Sequence, residues 1–146
     1  MHEESVTYEQ AQALKRLGFR DEVFAYYDEF GRLGVHAQTD YNVNWDYFIS
    51  APTLSHAQKW LLSNHKIFVT SDIRFSNYRN GDYSNPEYQY ITVDMRKENV
   101  AYRIESDYNR GMLFNSPEEA LSAGITECLK LLENETSKTS EKDSNP

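Results

Sequence analysis

The chain predicts an α+β fold: one mainly antiparallel sheet of about five or six strands, with about three helices packed on one face. Three observations carry this expectation. Thr7, Thr53 and Ser116 each stand at the start of a segment whose apolar residues recur at helical spacing. The segments between them alternate apolar and polar residues with a period of two. The alternating segments are joined by short stretches rich in turn-forming residues.

Residues 1–5 are polar and lack an anchor. Thr7 followed by Gln10 is a capping box, so a helix is expected through Leu17 with Ala11, Leu14 and Leu17 inward. Gly18 suits the left-handed position just past the end, which folds Phe19 back on Leu14. Glu22 to Tyr27 and Arg32 to Ala37 then flank Asp28-Glu-Phe-Gly31, where a leading Asp and a closing Gly suit a type I turn. A hairpin follows. Asp40, Asn42, Asn44 and Asp46 alternate with Tyr41, Val43, Trp45 and Tyr47, so an extended stretch would put oxygens on one side and rings on the other. Trp45 to Ser50 reads as its continuation as a strand.

The stretch from Ala51 to Thr70 is the joint of the chain. Pro52 keeps Ala51 extended, Thr53 caps, and Leu54, Ala57, Trp60 and Leu61 form an apolar stripe. Asn64 is the expected terminator. The period then changes to two, with Ile67, Val69, Ile73 and Phe75 on one parity. Ser76 to Pro86 is a polar loop. Glu87 to Met95 and Asn99 to Tyr108 alternate again across Arg96-Lys-Glu98, a second hairpin. Ser116, Pro117 and Glu119 supply an N-cap, a first-turn proline and a capping-box glutamate. Leu121, Gly124, Ile125, Cys128, Leu129 and Leu132 then form a stripe suited to lie on a sheet. Residues 1–134 are therefore expected as a single domain, and residues 135–146 as a disordered polar tail.

Composition excludes several functions. The 146 residues hold 39% hydrophobic and 14% aromatic side chains, eleven of them Tyr, so large amphipathic rings supply much of the burial. The net charge is −8, nearly all of it outside the tail, and no run of Lys or Arg interrupts it. An acidic body repels phosphate backbones, so neither nucleic acid nor an anionic membrane is expected as a partner. One cysteine excludes an internal disulfide, and Cys128 lies on an apolar helical stripe, which reads as core. No signal-like N-terminal segment and no membrane-length apolar run is visible, so a soluble cytoplasmic protein is expected.

No familiar chemistry emerges from the residues. His56 and His65 lie about half a helical turn out of phase and cannot share a metal. The Asp40 to Asp46 series resembles the start of a calcium loop, but that loop needs glycine sixth and a carboxylate twelfth, where Trp45 and Ala51 stand. Paired carboxylates at Asp21/Glu22, Asp28/Glu29 and Glu118/Glu119 are explained by turns, helix starts or solvation. No Gly-x-Ser-x-Gly elbow exists, and Gly31-Arg-Leu-Gly34 follows a hairpin turn and not a strand-to-helix junction. No catalytic residue, metal site or cofactor is assigned.

A surface remains. Tyr78, Arg79, Tyr83, Tyr88 and Tyr90 gather around the polar loop and the strand after it. If Ile91, Val93 and Met95 meet the helices, Tyr88 and Tyr90 stand on the opposite side of the sheet. Tyr and Arg favour protein interfaces, so the expected partner is another protein or a second copy of the chain. A merely wet aromatic face, or a face covered by another part of the chain, explains the same pattern.

The run Ala51-Pro-Thr-Leu-Ser-x-Ala-Gln-Lys-Trp-Leu61, with Thr7-Tyr-Glu-Gln-Ala11 before it and Ser116-Pro-Glu-Glu-Ala-Leu-x-Ala-Gly-Ile125 after it, resembles small uncharacterised proteins of bacterial phages and prophages. The resemblance implies a cytosolic accessory protein and carries over no functional residue. A non-enzymatic interaction protein is thus the leading expectation. The alternatives are an acidic mimic of nucleic acid that blocks a DNA-binding protein, and a small enzyme using His56 or His36 as a base.

Overall fold

The structure is a computed structural model that describes residues 3–74, 86–96, 103–106 and 113–143. In chain order the elements are α1 (Tyr8–Arg16), β1 (Val23–Tyr27), β2 (Leu33–Thr39), α2 (Tyr41–Asn44), β3 (Ile49–Ser50), α3 (Leu54–His65), β4 (Ile67–Arg74), β5 (Glu87–Asp94), β6 (Arg103–Ser106) and α4 (Pro117–Asp143). The class is α+β and every pairing between these strands is antiparallel. The single five- or six-stranded sheet expected from the alternation is corrected: the strands form two three-stranded sheets, ordered β2-β1-β3 and β4-β5-β6. Local alternation does not specify which strands pair.

The chain also divides into two compact units, one of Met1–Thr53 with Leu129–Pro146 and one of Leu54–Cys128. In the first, α1 begins as its sequence dictates. The Thr7 hydroxyl accepts the Gln10 N–H at 3.1 Å, and the Gln10 side chain accepts the Thr7 N–H at 2.8 Å. Its end is a Schellman closure: Gly18 sits at φ +93°, its N–H reaches Lys15 O, and Phe19 N–H reaches Leu14 O. Phe19 and Leu14 are fully buried as a result.

The predicted first hairpin is present. Gly31 at φ +77° completes a turn in which the Gly31 N–H donates to Asp28 O. The extended reading of Asp40 to Asp46 is corrected to the short helix α2. Asp40 caps it, its carboxylate accepting the Asn42 N–H at 3.1 Å, and this turns the chain where alternation alone suggested a strand. The strand expected from Trp45 shrinks to β3.

In the second unit α3 runs directly into β4. Lys66, and not Asn64, takes the left-handed turn at φ +56°. Asn64 instead donates its side-chain N–H to Trp60 O. Leu54, Ala57, Trp60 and Leu61 of α3 and Ile67 and Val69 of β4 are all buried. α4 starts where Ser116 Oγ accepts the Glu119 N–H at 3.1 Å, and Ile125, Cys128, Leu129 and Leu132 on its stripe are buried. α4 continues to Asp143. No glycine or proline interrupts it after Gly124. Arg16 also holds Glu133, two residues before Glu135, through two hydrogen bonds of 2.9 and 3.1 Å.

Candidate functional site

Of the five residues expected at an interface, Tyr88 and Tyr90 lie within the described residues. Tyr78, Arg79 and Tyr83, with the rest of the Ser76 to Asn85 loop, lie outside the described residues. Tyr88 is half-buried on β5 and its main chain bridges Phe114. Tyr90 is only 5% exposed. The face assignment is therefore reversed. The register sets Val69 opposite Thr92 and Ser71 opposite Tyr90, so the tyrosines share the side of Ile67 and Val69. Gly124 of α4 lies against Val69 and Tyr90 on that side.

The exposed apolar surface lies instead on the first unit, around β2. Phe24 is 58% exposed, Phe30 73%, Leu33 52% and Val35 74%. Leu33 and Val35 share one face with Tyr27 and Ala25, their cross-strand partners. On the other face Gly34 lies under the Tyr26 ring, where a Cβ would come within 2.5 Å of Tyr26 Cζ. Tyr26 in turn stacks on Phe48 at 4.3 Å and meets Tyr41 at 5.1 Å, with Trp45 5.6 Å from Phe48. These rings stiffen one face of the sheet; on the other, Tyr8 meets Tyr27 at 5.5 Å while Leu33 and Val35 stay exposed.

Main-chain directions follow from two hydrogen bonds. The Asp28 N–H donates to Arg32 O at 3.0 Å, and the Ala51 N–H donates to Ala25 O at 3.0 Å. On β1, therefore, Tyr26 and Asp28 face β2, while Ala25 and Tyr27 face β3. Gly34 and Arg32 point their N–H and C=O groups at β1. Those of Leu33 and Val35 point away, to the open side of the sheet.

The β3 and β4 edges are treated differently. On β3 the outward N–H of Ser50 donates to Asn42 Oδ1 at 3.0 Å, while the Asn42 amide donates to Phe19 O. On β4 the Val69 carbonyl accepts the Gln58 side-chain N–H at 2.6 Å. Side chains thus occupy edge groups of β3 and β4, but Leu33 and Val35 keep theirs exposed. β2 also holds no Asp, Glu, Lys, Arg or Pro, the residues with which sheet edges are ordinarily blocked.

Beside β2, Asp28 and Arg32 pair with each other, while Glu29 stays exposed in the same turn. Asp28 Oδ2 accepts from Arg32 Nε at 2.8 Å, and the Arg32 guanidinium stands 5.1 Å from the Phe30 ring centre. The hydrogen bond from the Arg32 main chain, above all, holds the Asp28 carboxyl below its ordinary value; burial opposes it, and the Arg32 side chain and the Phe30 N–H add to the lowering. Tyr27 and Tyr41 are both pushed up, chiefly by burial, with Glu9 and Tyr26 respectively adding to it. Each serves the framework: Tyr27 donates to Val6 O at 2.6 Å and Tyr41 to Ala37 O at 2.5 Å.

Among the described residues no group of three or more His, Cys, Asp or Glu side chains is placed to hold a metal ion. Cys128 is buried, and His65 lies edge-on to Trp60 at 4.8 Å. Asp40 and Asn42 of the oxygen-bearing series are engaged in capping and bracing, with Arg20 a further partner of Asp40 at 3.0 Å. Among the described residues no helix is long and apolar enough to cross a membrane. Compared with protein-family models, curated proteins and solved structures, the chain matches none. A strand edge without acidic or basic side chains, flanked by exposed apolar ones, has the groups needed to pair with another strand through main-chain hydrogen bonds.

Proposed function

We propose that this chain is a non-enzymatic accessory protein of the phage or prophage type, acting in the cytoplasm by protein–protein interaction through the open edge of β2. The reading departs from the tyrosine-bearing face suggested by sequence, because Tyr90 is buried. The observation that carries it is the pairing of outward main-chain groups at Leu33 and Val35 with side chains that are 52% and 74% exposed. Soluble monomers seldom leave such an edge unguarded, since it templates association. The engagement of Thr7, Gln10, Asp40, Asn42 and Ser116 in caps and braces supports a framework role for these polar groups.

A photo-crosslinking side chain placed at Val35, in full-length protein added to host lysate, tests this reading. Discrete adducts are expected at Val35, competed away by unlabelled protein, and none at exposed Glu118. Equal, non-competable labelling at both positions would remove the proposal.

A further inference from the structure

We infer that the strand received by β2 is β2 of a second copy of this chain, so that the protein self-associates across a two-fold axis at Gly34; this rests on the edge-pairing reading above. In an antiparallel pair, outward-facing residues bond to outward-facing residues. Leu33 and Val35 are the two such positions on the straight part of β2. Beyond Val35 the ladder slips, since Ala25 pairs with Val35 but Val23 with Thr39. One symmetric register uses both: Leu33 opposite Val35 of the second copy, and Val35 opposite its Leu33. That register gives four main-chain hydrogen bonds about the axis.

The side chains agree with it. Leu33 and Val35 lie on one face, so the axis gathers four apolar side chains there, two from each copy. Gly34 meets Gly34 at the centre, where the absence of a Cβ on either strand lets the main chains close without obstruction. Such an isologous contact needs a patch complementary to itself. Charge permits it. In a chain of net charge −8, β2 carries no charged residue, and the neighbouring Asp28 and Arg32 neutralise each other. No like charges oppose at the axis, and the remaining long-range repulsion is of the kind salt screens. Self-pairing should therefore strengthen with salt, whereas pairing with a basic partner would weaken.

Sedimentation of the full-length protein over a range of concentrations, at low and moderate salt, tests this. The mass should climb from 17.1 kDa toward twice that value, further at moderate salt. Val35→Lys should remain monomeric with an unchanged circular dichroism spectrum. This variant lowers the net negative charge, so loss of self-association would come from the blocked edge. A monomer at every concentration, or a dimer indifferent to Val35→Lys, overturns the inference. Monomeric protein that still gives competable adducts with a different protein from Val35 removes self-pairing alone. Monomeric protein with no such adducts removes self-pairing and edge pairing together.

Discussion

Gly124 of α4 rests on Tyr90 of β5: a Cβ added at position 124 would lie 2.9 Å from Tyr90 Cβ and 2.7 Å from Val69 Cγ2. The glycine is what lets the helix approach a strand that carries a tyrosine on its buried side. Gly124→Ala gains about 1 kcal/mol in helix propensity but forces an overlap that costs about 1–3 kcal/mol. A net loss of stability is expected in denaturant unfolding, reduced when Val69→Ala is present in the same chain. A more stable Gly124→Ala protein would show that α4 does not sit this close.

Ser50 supplies a test in the opposite direction. It is fully buried and its Oγ has no hydrogen-bond partner, although its N–H is held by Asn42. A buried hydroxyl without a partner costs stability. Ser50→Ala should be neutral or stabilising by up to about 1 kcal/mol, read from the denaturation midpoint. A clear loss would reveal a partner for the hydroxyl.

Much of this architecture was legible because its signals are local. The Thr7/Gln10 box, the Gly18 ending, the Asp28 to Gly31 turn and the Ser116 cap each depend on residues within five positions of one another. The misread features depend on distant partners. Ile91 and Val93 have the composition of a core face, but Val69, more than twenty residues earlier, decides by register that Thr92 and Tyr90 are the inner pair. Gly124 within the apolar stripe was the available hint of a close approach. Period-two alternation hid α2, where Asp40 as a cap was the better signal. The β2 edge was not legible at all. Its openness is defined by contrast with β3 and β4, whose edge groups are met by Asn42 and Gln58.

His65 makes stability depend on acid. Burial first, and the Arg96 charge second, lower its pKa below the ordinary value. The unfolded chain therefore binds a proton near pH 6.5 that the folded chain resists. The stability contributed is complete above that pH and is lost as pH falls toward the folded value. Between pH 7 and pH 5 the wild type should lose more stability than His65→Phe, which keeps a ring beside Trp60 without a titrating group. Parallel curves for the two proteins would contradict this.

Leu33 and Val35 direct their main-chain groups outward while Gly34 directs its own at β1. Residue-resolved amide hydrogen exchange in dilute solution measures this directly. Fast exchange at Leu33 and Val35 with slow exchange at Gly34 between them is the predicted result. Protection at Leu33 and Val35 equal to that at Gly34 in dilute solution would mean the edge is already covered, and the account built on it would fall.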